Sequence, residues 1–162
     1  MTSRLPLRPG WTVALAGVAG LAVLAVLPPI IGGEAGAVLH HAFAAVCHQI
    51  PERTPHLAGG PIALCHRCSG ILAGLLVGVA AAPSLGGTMV EGIVRSRQGL
   101  ALVLSGLPTA IDWALGATGV WANTPLSRML TGAVFGIAAG LILGANLLTV
   151  PRPSLSPTLT DA

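Results

Sequence analysis

The chain has 162 residues, of which 53% are hydrophobic and 8% are charged, and its mean hydropathy is +0.83. Soluble domains carry about 25% charged residues, so this chain lacks the polar surface of a soluble globule, and a bilayer is its natural solvent. The net charge of +3 comes from scattered arginines without any lysine, and only 3% of the residues are aromatic. Nucleic-acid-binding proteins cluster their basic residues, so we expect no nucleic-acid partner.

Four apolar stretches are long enough to cross a membrane, since a spanning helix needs about 20 residues at a rise of about 1.5 Å each. They cover Trp11–Ile31, Pro61–Ala82, Gln98–Ala117 and Leu126–Val150. We therefore predict an all-α fold, a polytopic membrane helical bundle with four transmembrane helices. The predicted domain covers residues 11–150, after a cytoplasmic segment (residues 1–10) and before a Pro/Ser/Thr-rich tail (residues 151–162) that we expect to be disordered.

A shorter apolar stretch, AGAVLHHAFAAVCHQ, occupies residues 35–49 between the first two spans. It is too short to cross the bilayer, so we predict an interfacial helix in the first outer loop. The helix should end before Ile50 and Pro51, because a residue that precedes proline disfavours the helical conformation. If the whole stretch is helical, one face presents four side chains: His40, His41, Cys47 and His48.

The arginines predict the orientation of the bundle. Five of them fall on one side of the membrane: Arg4, Arg8, Arg95, Arg97 and Arg152. Three fall on the other side: Arg53, Arg67 and Arg128. Positive charge is enriched in cytoplasmic loops, so we expect a multi-pass protein of the cell membrane with both termini in the cytoplasm. The segment 47–68 then faces the exterior.

Glycines recur every fourth residue in two of the spans. The second span contains Gly70, Gly74 and Gly78, and the fourth contains Gly132, Gly136, Gly140 and Gly144. Stripes of small residues let helix backbones approach closely in lipid. We therefore expect the second and fourth spans to pack face to face, and a homodimer formed through the glycine stripes is the competing use.

The segment 47–68, CHQIPERTPHLAGGPIALCHRC, collects all three cysteines and three of the five histidines. Thiolates and imidazoles suit zinc, iron or copper. We predict a metal site, with zinc as the first candidate. Its ligands would be Cys47, Cys65, Cys68 and His48, with His56 or His66 as substitutes for the histidine.

Three other uses of this segment compete with metal binding. The exterior is oxidising, so two of the cysteines could form a disulfide and leave one thiol free. The C-x-x-C spacing of Cys65 and Cys68 lowers a thiol pKa, which suits a thiol-disulfide or quinone-linked redox protein. The segment could also be inert, with its histidines on the wet face of an interfacial helix.

Asp112 lies inside the third span, four residues after Pro108. An ionisable residue within a span is a functional candidate, and its plausible partners are Arg67 and Arg128. A structural ion pair that fixes helix packing explains Asp112 equally well. If the protein is an enzyme, the metal could activate water or polarise a lipid-like substrate, with Asp112 as its base.

The predicted outer face carries more arginines than acids. Arg53, Arg67 and Arg128 face only Glu52 and Asp112, and this excess suits an anionic ligand such as a lipid phosphate or carboxylate. Membrane lipids are therefore the expected partners. A third possible function is a small transporter whose path is lined by Asp112 and Arg128, although the first and fourth spans carry no polar stripe below Arg128.

Several short motifs occur in a fixed order: CHQ, PER, C-x-R-C-x-G, ID-W and N-x4-R-x2-TG. Together they resemble a family of small prokaryotic membrane proteins known as domain of unknown function 2085. The matching positions are Cys47, His48, Gln49, Glu52, Arg53, Cys65, Arg67, Cys68, Gly70, Asp112, Asn123, Arg128 and Gly132. The resemblance implies that these residues form one constellation, although the family supplies no activity. The chain departs from the family pattern at Trp113, where glycine is more usual, and at Ser127, where the residue is often less polar.

Overall fold

The computed structural model describes residues 8–85, 92 and 96–149. These described residues form six α-helices, in chain order α1 (Pro9–Val26), α2 (Pro28–Ile31), α3 (Gly33–Ala42), α4 (His66–Ala81), α5 (Gln98–Ala117) and α6 (Pro125–Thr149). Short 3-10 turns occupy Phe43–Ala45, Pro51–Arg53 and Ala82–Leu85, and one small hairpin pairs β1 (His56–Leu57) with β2 (Gly60–Pro61). The expectations for the segment 1–7, the tail 151–162, Arg4, Arg95 and Arg152 fall outside the described residues.

Four of these helices are long and apolar enough to cross a membrane: Pro9–Val26, His66–Leu85, Gln98–Ala117 and Pro125–Leu148. The predicted all-α membrane bundle with four spans is therefore confirmed. Its helices alternate in direction, because the start of α1 packs against the ends of α4 and α6 through Trp11, Val79 and Leu148. We call this the tryptophan end, and we call the opposite end, with Cys47, Cys65 and Cys68, the cysteine end.

The first span is shorter than its apolar stretch. Helix α1 stops at Val26, and a separate turn, α2, starts at Pro28. Pro28 and Pro29 have no backbone N–H to donate, so the helical hydrogen-bond ladder cannot run through them. The prediction that one helix extends to Ile31 is therefore corrected by the two consecutive prolines.

The second span begins at His66 and not at Pro61. The residues before it form the hairpin, in which His56 pairs with Pro61 and Leu57 pairs with Gly60. A two-residue loop of this kind needs positive φ at both central residues, and Ala58 (φ 50°) and Gly59 (φ 84°) supply it. The hairpin therefore takes the residues that hydropathy alone assigned to the span.

The predicted interfacial helix is present but shorter. Helix α3 covers Gly33–Ala42, and after one 3-10 turn the chain leaves helical geometry before Cys47. His40 and His41 lie in its last turn, whereas His48 lies beyond the helix. The four-residue face predicted for a continuous helix over 35–49 is therefore not formed.

The two glycine stripes face each other along α4 and α6, as expected. A Cβ atom placed on Gly74 would collide with the backbone of Ala133 and lie 2.9 Å from the backbone nitrogen of Ile137. A Cβ on Gly140 would lie 2.9 Å from the Cα of Gly78. A Cβ atom does not fit at these positions, so the stripes form a close backbone contact between α4 and α6, and the homodimer through them stays a prediction.

Helix α5 packs on α6 and exposes most of its surface. The Thr109 hydroxyl donates to the Thr131 carbonyl at 2.8 Å, and the side-chain amides of Gln98 and Asn146 bond each other at the tryptophan end. On the opposite face, Val103 and Ile111 are exposed. In a membrane this apolar face is available to lipid.

The described arginines divide between the two ends as predicted. Arg8 and Arg97 flank the starts of α1 and α5 at the tryptophan end. Arg53, Arg67 and Arg128 lie at the cysteine end, around one cavity. Which end faces the cytoplasm stays a prediction, because the positions of the helices do not by themselves orient the bundle in a membrane. The other three arginines fall outside the described residues.

Candidate functional site

The three cysteines meet although they come from separate segments. Cys47 follows the 3-10 turn and is 3% exposed, packed among Ala25 and Leu64. Cys65 caps the start of α4 in an extended conformation, and Cys68 lies in the first turn of that helix. Their Sγ atoms all lie within 4.8 Å of one another, and all three are free thiols.

A hydrogen bond and a neighbouring thiol polarise this cluster. The backbone N–H of Cys65 donates to the sulfur of Cys47 at 3.2 Å. The neighbouring side chain of Cys68 lowers the pKa of the Cys65 thiol well below its usual value, and this outweighs the opposite effect of burial. Thiolates are the form of cysteine that binds metals and attacks electrophiles. The lowered pKa therefore makes Cys65 a reactive thiol.

The predicted histidine ligands lie outside the sulfur cluster. The Nδ1 atom of His66 lies 2.7 Å from the carbonyl oxygen of Arg53, and that of His56 lies 3.1 Å from the carbonyl oxygen of Thr54. His48 is exposed and lines the same cavity as the cysteines, but its ring nitrogens are not within 4.8 Å of all three sulfurs. Of the three candidates, His48 is therefore the only one that lines this cavity.

Gln49 has a role that the sequence did not suggest. Its side-chain amide donates to the carbonyl of His40 at 2.6 Å and to that of Ala63 at 2.9 Å. It thereby ties the end of α3 to the segment that leads into Cys65. Its backbone has a φ of 49°, a conformation that non-glycine residues rarely adopt. The CHQ motif was the available signal, since it includes Gln49 beside Cys47.

Asp112 is buried at 8% exposure and is bonded on both carboxylate oxygens. Arg67 donates to Oδ2 at 2.5 Å, and the hydroxyl of Ser127 donates to Oδ1 at 2.9 Å. Arg67 is therefore the partner of Asp112, and Ser127 is a contact that the sequence did not indicate. Because both oxygens are occupied, this geometry favours the structural ion pair, and the role of Asp112 as a base stays a prediction.

Asn123 adds a further hydrogen bond to the same network. Its amide donates to the backbone carbonyl of Asp112, next to Gly116, where any Cβ atom would collide with the Asn123 side chain. The loop between α5 and α6 is thereby closed onto the end of α5. Together with Ser127 of α6, the residues Asp112, Asn123 and Arg67 form one connected unit that holds the ends of α4, α5 and α6 together.

A cavity of about 300 Å³ opens beside the sulfurs and the ion pair. Its wall consists of Cys47, His48, Gln49, Ile50, Arg53, Cys65, Arg67, Cys68, Trp113 and Arg128. A second cavity of about 70 Å³ shares Arg53, Arg67, Trp113 and Arg128 with it. The structure therefore brings the predicted thiols and arginines to one place, while Asp112 lies behind Arg67 and is not among the residues that line either cavity.

The charge of this cavity is unbalanced. Arg67 is neutralised by Asp112, but neither Arg53 nor Arg128 is within ion-pair distance of an acid in the part of the chain that the structure describes. Arg53, Arg67 and Arg128 all line this cavity. The guanidinium groups of Arg53 and Arg128 therefore line the cavity without a carboxylate partner among the described residues.

Comparisons with known proteins give a family but no activity. The model of a family described as "Predicted membrane protein (DUF2085)" matches residues 47–142. An uncharacterised protein of Methanocaldococcus jannaschii is 29% identical over 98 residues, which is 60% of this chain and 61% of that relative. The aligned part thus spans less than two thirds of the relative's length. No solved structure matches this chain.

Proposed function

Because this chain belongs to the DUF2085 family of predicted membrane proteins, whose description states no activity, we propose a function from its own residues: Cys47, Cys65 and Cys68 bind a zinc ion at the cysteine end of the bundle. The observation that carries this proposal is the mutual distance of the three sulfurs, at most 4.8 Å. A tetrahedral zinc site with Zn–S bonds of about 2.3 Å has sulfur–sulfur edges of about 3.8 Å, so small side-chain movements would form it.

The environment of the sulfurs supports a metal-binding role. A metal-bound cysteine is a thiolate, and the lowered pKa of Cys65 favours that form. The N–H bond from Cys65 to the Cys47 sulfur would stabilise negative charge on that ligand and orient it. Zinc is favoured over harder cations because all three donors are sulfur. Iron and copper also accept such donors, so the metal has to be identified by measurement.

The fourth ligand decides between a structural and a catalytic site. Structural zinc sites have four protein ligands, whereas catalytic ones keep a position for water or substrate. His48 is the proposed fourth ligand if the segment around it moves toward the sulfurs. If it does not, the fourth position faces the arginine-lined cavity, and a zinc ion there could polarise an anionic substrate.

Elemental analysis of the detergent-purified protein tests the proposal. We expect about one zinc per chain in the wild type and its loss in Cys65→Ser/Cys68→Ser. His40→Asn/His41→Asn is the matched control, because it removes two imidazoles outside the sulfur cluster and should retain zinc. His48→Asn loses zinc only if His48 is the fourth ligand. A wild type purified without chelators that contains and takes up no metal overturns the proposal.

A thiol redox reaction is the second candidate, and the pairing of Cys65 with Cys68 favours it. In such a reaction the Cys65 and Cys68 thiols would form a disulfide. Their two electrons and two protons would reduce a quinone to its hydroquinone. The count of free thiols after treatment with a soluble quinone distinguishes the candidates. It falls from three to one for a redox pair, whereas for a zinc site the sulfurs stay reduced and metal-bound.

The location of the site is a separate proposal. We expect the cysteine end to face the exterior of the cell membrane, with both termini in the cytoplasm. A membrane-impermeant maleimide should then label metal-depleted protein in intact cells as fully as in lysed cells. Labelling that requires lysis would reverse the proposed orientation.

A further inference from the structure

We propose that the cysteine end binds a lipid phosphomonoester. Its phosphate would lie in the arginine-lined cavity, and its aliphatic chain would lie in an apolar groove between α1 and α4. The inference goes beyond the zinc site and does not depend on it, because the groups that would bind the phosphate are Arg53 and Arg128. It rests on the arginines of the cavity, on the wall residue that cavity and groove share, and on their position along the helices.

The cavity has the donors that a phosphomonoester requires. Of its three arginines, only Arg67 has a carboxylate partner among the described residues, which leaves the guanidinium groups of Arg53 and Arg128 to bind a ligand. A phosphomonoester carries about −1.5 to −2 charge at neutral pH, which attracts it to these two groups. Guanidinium groups also bind phosphate oxygens in pairs, which adds directional selectivity.

An apolar groove of about 330 Å³ adjoins this cavity. Leu21 of α1 lies on one side, and Leu72 and Leu75 of α4 lie on the other. Cys68 lines both the groove and the arginine-lined cavity, so the charged space and the apolar space share a wall residue. A ligand that fills both spaces must join an anion to an aliphatic chain.

The groove follows α4 in the direction that a lipid chain takes. Leu75 lies seven residues beyond Cys68, which corresponds to about 10 Å along the helix axis. The arginine-lined cavity lies at the ends of the spans, because Arg67 and Arg128 belong to the first turns of α4 and α6. Headgroups occupy this depth in a bilayer, and acyl chains extend from it toward the centre. The charged and apolar parts of the site are therefore in register with those of a lipid.

This arrangement distinguishes a lipid phosphate from two other ligands. Free inorganic phosphate would use the arginines and leave the groove unoccupied. A zwitterionic phospholipid would use the groove, but its own cation would offset the attraction of Arg53 and Arg128. The site thus predicts both headgroup selectivity and dependence on the chain.

Native mass spectrometry of the full-length protein in detergent tests the inference. The probes are dioleoyl phosphatidic acid, dioleoyl phosphatidylcholine and inorganic phosphate. We expect phosphatidic acid to bind at least tenfold more tightly than phosphatidylcholine, which has the same chains. Arg53→Gln/Arg128→Gln should remove that preference, and the matched control Arg97→Gln, at the opposite end of the bundle, should keep it. Leu72→Trp, which narrows the groove, should weaken binding of the lipid but not of inorganic phosphate.

Several results would overturn the inference. These are equal binding of the two lipids, an unchanged preference in Arg53→Gln/Arg128→Gln, or displacement of phosphatidic acid by an equal concentration of inorganic phosphate.

Arg53→Lys/Arg128→Lys keeps the charge but loses the paired donors. Its preference for phosphatidic acid should fall between those of the wild type and the Gln variant, if circular dichroism shows that the Gln variant is correctly folded. Zinc content separates the two proposals, because Arg53→Gln/Arg128→Gln should keep its zinc. Lipid selectivity in a metal-free wild type would refute the zinc site alone.

Discussion

At the tryptophan end, Trp11, Val79, Ala82 and Leu148 form an apolar cluster, and the buried indole N–H of Trp11 donates to the Val79 carbonyl at 2.8 Å. At the cysteine end, three arginines and three thiols surround a cavity of about 300 Å³, and a buried carboxylate lies behind one of these arginines. The same helices form both ends. Among the described residues, the tryptophan end therefore shows apolar packing, whereas the cysteine end shows charged and nucleophilic groups around a cavity.

The α4–α6 contact connects the two ends, and breaking it should have the largest effect. In Gly74→Val, the new side chain collides with the backbone of α6. We expect loss of the folded bundle, beyond the ~1–3 kcal/mol of ordinary overpacking. Thermal unfolding followed by circular dichroism measures it. Gly17→Val is the matched control, since a Cβ there meets nothing within 4 Å.

The outcome of Gly74→Val also tests the competing use of the stripes. A wild type that is dimeric by light scattering, with a variant that stays folded but becomes monomeric, would assign the glycines to a homodimer. Loss of folding in a protein that is monomeric throughout would assign them to the contact inside one chain.

Breaking the ion pair at the cysteine end should have the next largest effect. Asp112→Ala removes the partner of Arg67 and the acceptor of Ser127. We expect a loss of about 3 kcal/mol in the free energy of unfolding, since removing one member of a buried pair leaves a charge uncompensated. Chemical denaturation in mixed micelles measures this change. Arg67→Leu/Asp112→Leu should recover much of it, and a double variant as unstable as the single one would contradict the pairing.

Thiol reactivity should distinguish the cysteines from one another. In metal-depleted protein, Cys65 should be alkylated by iodoacetamide at neutral pH, because a lowered pKa keeps its thiolate present as the pH falls below the usual thiol value. Cys47 should react slowly, since it is buried. Peptide mass spectrometry gives the rate at each site. A Cys65 rate that begins to rise only near pH 9 would show that its pKa is unshifted.

The smallest effect is expected at the tryptophan end. Trp11→Phe removes the hydrogen bond to Val79 and should cost about 1 kcal/mol in the free energy of unfolding, as for a typical hydrogen bond. Zinc content and the labelling of Cys65 should be unchanged, because the cysteine end lies across the bundle. A change in zinc content or in Cys65 labelling would mean that packing at the tryptophan end affects the cysteine end.

Sequence reasoning was most successful for features that recur along one helix. Hydropathy found the four spans, and the spacing of Gly70, Gly74 and Gly78 identified the face of α4 that meets α6. It was least successful where a turn competes with a helix. The start of α4 was placed at Pro61, because the hairpin turn at Ala58 and Gly59 leaves no signal in hydropathy.

The candidate site was predictable in composition but not in geometry. The density of Cys, His and Arg in residues 47–68 indicated which side chains to consider, and helix length indicated that Asp112 and Arg128 lie near the same end. The choice of Arg67 over Arg128 as the partner of Asp112 required coordinates. The contact with Ser127 did too, because it depends on how the loop before α6 closes.

By itself, the sequence determined that this protein is a four-span bundle with its reactive residues near one end, because hydrophobicity and helix length are local properties that no packing arrangement can reverse. The tertiary structure decided which of those residues meet. It brings the three sulfurs within 4.8 Å, leaves the histidines outside that cluster, and turns Arg53 and Arg128 toward one cavity. These outcomes depend on the hairpin, on the bonds of Gln49 and on the close approach of α4 and α6, which are contacts between segments distant in the chain.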